Sequence, residues 1–390
     1  MARYRSEVRT GNAQKALLIG VLCAFLFTAL SFGFAAVLPA GSDDDCGVYD
    51  ASAAARGSSY AVIEVGSLRL LKGENVSARL PMASTTKAMT ALVVIENTPD
   101  LNAVVTVPDI AVGVEGSSIY LRKGEHLTVK ELLYGLMLRS GNDAAVTLAV
   151  NTSGSVEAFA DKMNEKARSL GLTDTNFVNP HGLSAKDHYT SAYDLAVIAA
   201  TALRNPVFRE IVSTKFITVE SRDGGETRYF ANKNKILYNY EGATGVKTGY
   251  TTEAGRCLIA SSVRNGMEVV AVALNHYNYF DLCSSLMDYA HENYVLEKVL
   301  DKDTVYAEVK VKKNYRVKSA ELHVTNSYSY PVKKDGSEKL RSETEAVSEI
   351  TAPHSKDTAL GEVKIFMDNR LLFAEKLYTI YDIEKKGWLF

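Results

Sequence analysis

Strand-like runs stand at both ends of a long helix-rich stretch, and that separation restricts the fold more than any other feature of the chain. Tyr60-Ala61-Val62-Ile63-Glu64-Val65 is a short apolar run suited to a buried strand, with Ser67-Leu68-Arg69-Leu70-Leu71 returning as its hairpin partner. Strand-like runs reappear at 244–248, 257–263 and 268–274, the last two joined by Asn265-Gly266, a strong tight-hairpin signal. Between these ends the apolar spacing is helical at about 84–96, 129–138, 142–151, 155–170 and 191–203. A buried strand must pair its backbone N–H and C=O groups. The first strands should therefore pair with the last ones, giving an α+β unit in which helices flank an antiparallel sheet on both sides. A long helix over 280–299 closes that unit.

The pattern then changes. From 303 to 386 it alternates (Tyr306, Val309, Val317, Leu322, Val324), with a turn at Asp335-Gly336 and a hairpin through Asp368-Asn369. This predicts a small all-β C-terminal domain with no chemical motif. The expected organisation is 1–40 as a targeting segment, 41–57 as a small, acidic, Ser/Ala-rich linker, 58–299 as the α+β domain and 300–386 as the β domain.

Chemistry enters with Ser84-Thr85-Thr86-Lys87. A serine hydroxyl is a poor nucleophile at neutral pH and needs a neighbouring base. Residues three apart share a helix face, so Lys87 can stand one turn along from Ser84 and serve as that base. The tetrapeptide alone would suit a solvated helix start equally well. Its weight comes from two motifs downstream: Ser140-Gly141-Asn142, after the apolar helical run 132–138, and Lys247-Thr248-Gly249, after Gly245-Val246.

Ser-x-x-Lys, Ser-Asp-Asn and Lys-Thr-Gly in this order are the signature of penicillin-binding proteins and class A β-lactamases; here the middle motif reads Ser-Gly-Asn. The chain resembles the low-molecular-mass penicillin-binding proteins of the D-alanyl-D-alanine carboxypeptidase family, the S11 serine peptidases. Leu138-Arg139-Ser140-Gly141-Asn142-Asp143, Asn179-Pro180-His181-Gly182-Leu183, Asp187-His188-Tyr189-Thr190-Ser191 and Ala254-Gly255-Arg256-Cys257-Leu258 also carry the likeness. It is strong over about 59–297 and weaker to near 386. The resemblance implies a β-lactamase/transpeptidase-like catalytic fold with Ser84 as the acylated nucleophile and Lys87 as its base. Burial and Lys247 as a second cation would lower the Lys87 pKa. Ser140 would relay a proton, and Asn142 would donate to the substrate backbone. Lys247 and Thr248 would hold a terminal carboxylate, and Gly249 would let the substrate strand lie close. The backbone N–H groups of Ser84 and Tyr250 would form the oxyanion hole.

The implied substrate is the D-Ala-D-Ala end of peptidoglycan stem peptides, with β-lactam antibiotics as covalent inhibitors and no cofactor. One departure stands out. Many relatives carry an arginine after the last core strand, whereas Asn275-His276-Tyr277-Asn278-Tyr279-Phe280-Asp281-Leu282 contains none. That puts in question how firmly the carboxylate is held. Two alternatives remain at the level of sequence: a β-lactamase, and an idle wall-binding protein that keeps the fold. Against the first, class A enzymes use a glutamate-held water, and 173–195 offers no glutamate.

A net charge of -2 and a pI near 6.4 give no electrostatic reason to expect nucleic acid as a partner. Cys23, Cys46, Cys257 and Cys283 lack zinc-ligand or redox spacing, and the histidines form no His-x-x-x-His pair, so no metal site is expected. Cys257 and Cys283 read as buried free thiols. At the N-terminus, Arg3, Arg5, Arg9 and Lys15 precede an apolar run over 16–38, an arrangement that places the chain beyond residue 40 outside the cytoplasm. A retained membrane anchor needs roughly twenty apolar residues and is favoured over a cleaved signal peptide, for which Gly33-Phe34-Ala35 is only a passable site.

Overall fold

The structure is a computed structural model that describes residues 2–6, 57–225 and 227–386. The expected anchor at 16–38 lies outside the described residues; among those described, no helix is long and apolar enough to cross a membrane. The chain divides into two compact units that meet in sequence at Glu292 and Asn293.

The larger unit is built on five strands: β1 (Ser59–Glu64), β2 (Leu70–Glu74), β3 (Ala243–Thr251), β4 (Gly255–Arg264) and β5 (Met267–Leu274). Their order across the sheet is β2-β1-β5-β4-β3, and every pairing is antiparallel. The first strand thus lies beside the last, with Ser59 opposite Leu274 and Glu64 opposite Val269. Asn265 and Gly266 both have positive φ, 51° and 78°, and turn β4 into β5.

The helices match the sequence spacing closely. They are α1 (Lys87–Asn97), α2 (Val129–Leu138), α3 (Asn142–Ser153), α4 (Val156–Ser169) and α5 (Ala192–Leu203). α2 starts in a capping box, in which Thr128 and Glu131 each satisfy the other's backbone N–H. α5 is buried along most of its length; its alanines let it pack tightly on β1 and β5. Short elements without a clear periodic signal complete the unit, among them the helix Pro206–Ser213 and the hairpin Phe216–Val219/Arg228–Ala231.

Side-chain alternation divides the sheet between two layers. Ile63, Cys257, Ile259, Val270 and Val272 join the main core with the helices above. The other face receives α6 (Tyr279–Asn293), whose His291 Nε2 meets Ser262 Oγ at 2.8 Å and whose Cys283 Sγ donates to Ala271 O at 3.8 Å. Cys257 and Cys283 are both free and buried, one on each face of the sheet. Burial pushes both thiols up, Cys257 to about 12.

The helix expected over 280–299 ends at Asn293, and Tyr294–Leu300 is a strand paired with Tyr328–Lys333. Leu-rich composition supports either state, so the paired partner decides it. The rest of the smaller unit is all β. Ala307–Lys312 lies between Ser319–Leu322 and Glu349–Thr351, and Leu340–Ala346, Gly361–Met367 and Arg370–Leu377 form an antiparallel sheet joined at its edge by Ala2–Ser6. The hairpin at Asp368-Asn369 forms as expected, and a separate core gathers Val309, Leu322, Val363 and Ile365.

α4 shows how the larger unit is held. Its buried residues Phe159, Ala160, Met163 and Ala167 form one stripe on an otherwise polar helix. Phe159 has no exposure to solvent. Phe159→Ala should cost about 3–5 kcal/mol in urea unfolding, because the cavity adds to the lost transfer energy; a loss under about 1 kcal/mol would show that this stripe is not core.

Candidate active site

Ser84 lies in a tight 3-10 turn, Ala83–Thr86, immediately before α1. Ala83 is in the left-handed region at φ 50°. Side chains stabilise this turn: Thr85 Oγ1 donates to Met82 O at 2.6 Å and Thr86 Oγ1 to Ala83 O at 2.8 Å. Lys87 opens α1 with its side chain fully buried. Its Nζ reaches Ser84 Oγ at 3.0 Å, Asn142 Oδ1 at 2.7 Å and the His181 carbonyl at 2.5 Å. No carboxylate among the described residues pairs with it. Burial, then the charge of Lys247, holds its pKa well below the ordinary lysine value.

The second motif sits between α2 and α3. Ser140 is buried with φ 65°, and its hydroxyl makes no hydrogen bond to Lys87 or to any other described residue. Asn142 makes the contact to Lys87 instead, while its Nδ2 donates to Glu115 O at 2.5 Å. An amide nitrogen carries two hydrogens, so one remains free for a ligand.

The third motif lies on β3, the edge strand of the sheet. Lys247 is buried, and its Nζ donates to Thr248 O at 3.0 Å. Burial, then Lys233, lowers its pKa to about 7. Thr248 is half-buried and Tyr250 exposed. Gly249 packs on the Ser84 turn: a Cβ there would stand 3.1 Å from Met82 O and from the Ser84 and Thr85 nitrogens. A side chain at 249 would push the strand away from Ser84.

Two supports escaped the motif reading. The first is the 179–188 segment. Asn179 Oδ1 accepts from the His181 and Gly182 N–H groups, and the turn so formed presents the Pro180 carbonyl to Thr90 Oγ1 at 2.6 Å and the His181 carbonyl to Lys87. Gly182, at φ 91°, lies so close that a Cβ would fall 1.9 Å from Ala83 O. His188 Nδ1 accepts from Val178 N–H at 3.1 Å, which leaves the proton on Nε2, 2.9 Å from Thr86 Oγ1. The Asn-Pro-His-Gly turn was a signal for a bend here, but not for what it touches.

The second support is Asp143. Its buried carboxylate accepts from Ser118 Oγ and from the Ile119, Leu121 and Ala144 N–H groups, tying down the loop that carries Glu115. Lys233 was also not singled out. Burial, then Arg139, lowers its pKa. Lys87, Lys247, Lys233 and Arg139 form no ion pair among the described residues. That uncompensated charge suits an anionic ligand.

The histidines give this assembly a pH dependence. Burial, then Lys87, depresses His188 from 6.5 to about 4 and His181 to about 3. The unfolded chain therefore binds more protons than the folded one between these values and 6.5. Their stabilisation is complete above about 6.5 and is lost as pH falls towards 4, on the order of 3 kcal/mol for His188. Urea midpoints of His188→Gln should fall less steeply than those of the unaltered protein across this window. Parallel slopes would refute the assignment.

The sequence profile of the D-alanyl-D-alanine carboxypeptidase family, Peptidase S11, matches residues 48–278, and that of the penicillin-binding protein 5 C-terminal domain matches 294–385. The chain is 34% identical over 343 residues to the D-alanyl-D-alanine carboxypeptidase DacF of Bacillus subtilis, covering 85% of this chain and 87% of that one. It is 30% identical to DacA of Haemophilus influenzae, covering 84% and 85% respectively. The crystal structure of penicillin binding protein 5 from Haemophilus influenzae superposes with a TM-score of 0.69 at 27% identity, over 84% of this chain and 97% of that one. With its profile match, its relatives and its antiparallel sheet flanked by helices, the chain belongs to the D-alanyl-D-alanine carboxypeptidase family of serine peptidases.

Proposed function

We propose that the chain removes the terminal D-alanine from peptidoglycan stem pentapeptides through an acyl-enzyme on Ser84, outside the cytoplasm. The observation that carries this is Lys87 Nζ at 3.0 Å from Ser84 Oγ, on a buried lysine whose pKa is lowered. Neutral Lys87 takes the hydroxyl proton as Ser84 Oγ attacks the carbonyl of the penultimate D-alanine. The backbone N–H groups of Ser84 and Tyr250 receive the developing oxyanion, each worth about 3 kcal/mol of barrier. The tetrahedral adduct collapses, the C–N bond breaks, and the proton passes from Lys87 to the departing amine of D-alanine; for Ser140 to relay it, its hydroxyl, which does not contact Lys87 in the free protein, must close on Lys87 when substrate binds. Water then attacks the acyl-enzyme with Lys87 again as base, releasing the shortened peptide and regenerating Ser84. Asn142 donates its free N–H to the substrate backbone, Gly249 lets the peptide lie along the edge of β3, and Lys247 and Thr248 hold the terminal carboxylate. A β-lactam, carrying a strained amide and a carboxylate, enters the first half of this cycle and stays as the acyl adduct.

Ser84→Ala should abolish covalent labelling by a fluorescent penicillin while circular dichroism stays unchanged. Lys87→Ala should slow acylation by roughly 10²–10⁴-fold, the usual worth of a positioned base. Undiminished labelling of either variant would sink its assigned role.

Extracytoplasmic action needs a route across the membrane, and the apolar run at 16–38 behind its basic flank would supply one as a retained single-pass anchor; the anchored protein would hold Ala2–Ser6 in the cytoplasm, apart from its pairing with Leu340–Ala346. N-terminal sequencing of the membrane-associated protein should find a chain that still carries the 16–38 run. A chain beginning between Ala36 and Gly41 would mean that the segment is a cleaved signal peptide.

A further inference from the structure

The direction of the substrate along β3 fixes where the rest of the peptide runs. With the terminal carboxylate at Lys247 and Thr248 and the scissile carbonyl at the Tyr250 N–H, the peptide lies antiparallel to β3, and its residues upstream of the scissile bond pass Thr251. The third residue from the C-terminus stands about 3.4 Å further along, beside the turn 252–254 that joins β3 to β4.

A cavity of about 400 Å³ lies at this end of the strand. Pro81, three residues before Ser84, forms one wall, the loop 184–189 a second and Glu253 a third. Ser184 Oγ stands 3.3 Å from Thr251 Oγ1 and joins the loop to the end of β3. The loop backbone is held in place: Asn176 Nδ2 donates to Asp187 O at 2.6 Å, and His188 N–H to Ala185 O at 3.1 Å. His188 borders the cavity with both ring nitrogens occupied, by Val178 and Thr86. The charged groups that line it are not so engaged. The Asp187 and Glu253 carboxylates and the Lys186 ammonium make no side-chain hydrogen bond and no ion pair among the described residues. Two carboxylates against one ammonium leave the cavity net negative, whereas the other end of the substrate track carries the cations Lys247 and Lys233.

We propose that this cavity receives the side chain of the third residue from the substrate's C-terminus, and that Glu253 makes it select a side chain ending in a free amine. A strand laid on a sheet edge takes affinity from its main-chain hydrogen bonds and specificity from the pockets that meet its side chains. An ammonium in this cavity gains carboxylate partners, and an acylated amine, which carries no charge, does not. The protein thereby distinguishes a peptide whose side-chain amine is free from one whose amine is already joined to another group. This inference rests on the carboxypeptidase reading of the site.

The test compares kcat/KM for N-acetyl-L-lysyl-D-alanyl-D-alanine with that for the same peptide acetylated on the lysine side chain. The unaltered protein should favour the free amine about 2- to 5-fold at low salt, the scale of an exposed charge pair, and less at high salt. Glu253→Gln leaves Asp187 balanced by Lys186 and should bring the ratio close to one; Glu253→Lys should invert it. A merely structural role would lower kcat/KM for both peptides alike and leave the ratio unmoved. No preference in the unaltered protein, or a full preference in both variants, overturns the inference while the carboxypeptidase reading stands. If the unaltered protein releases D-alanine from neither peptide and takes no fluorescent penicillin, that reading falls and the inference with it.

Discussion

The burial of Lys87 is the constraint around which the larger unit is arranged. Removing an ammonium from water costs several kcal/mol unless its hydrogen bonds are replaced. Here the replacements come from three stretches of chain: Ser84 one turn back, Asn142 at the start of α3 and the distant His181 carbonyl. None of the three carries a formal charge at the contacting atom. The lysine is therefore solvated well enough to be held in place, yet not stabilised as a cation strongly enough to keep its ordinary pKa. That combination is what the base role proposed for Lys87 requires.

Each of those three contacts rests on a further layer. Asp143 binds the 118–121 backbone, the same loop carries Glu115, and the Glu115 carbonyl orients the Asn142 amide towards Lys87. His188 supports Thr86, and Thr86 closes on Ala83 O in the turn that presents Ser84. These networks are internally satisfied and hold the geometry around Ser84, although the Asp143 carboxylate also acts on Lys87 and partly opposes the lowering of its pKa. Little reorganisation is left for the moment of reaction, which is where preorganised polar sites gain their effect. The cations around the site are the opposite case. Among the described residues Lys247 and Lys233 have no ion-pair partner, and burial lowers the pKa of both.

Much of this was legible in the sequence. The helices 129–138, 142–151 and 191–203 and the Asn265-Gly266 hairpin emerge from periodicity and turn chemistry alone, because each is a local property of a few consecutive side chains. The helix over 280–299 was overextended for the same reason. Tyr294-Val295-Leu296 has no strong local preference, and a distant strand at 328–333 settled it. The three motifs named Ser84, Lys87 and Lys247, since nucleophile chemistry restricts residue type and spacing. They missed Asp143, His188 and Lys233, whose roles consist entirely of what they touch.

Sequence by itself determined which chemistry the chain carries: a serine with a lysine three residues on, a buried first strand that had to find the last, and an arginine-free segment after β5. Only the tertiary structure decided how those pieces act. It gave the Lys87 contact to Asn142 while Ser140 stands apart, put Cys257 and Cys283 on opposite faces, and stacked Arg256 of β4 on Tyr277 and Tyr279. The physical reason is range. Backbone preferences and side-chain chemistry act over a few residues and can be read in order, whereas burial, pKa and hydrogen-bond partnership depend on groups that lie far apart along the chain.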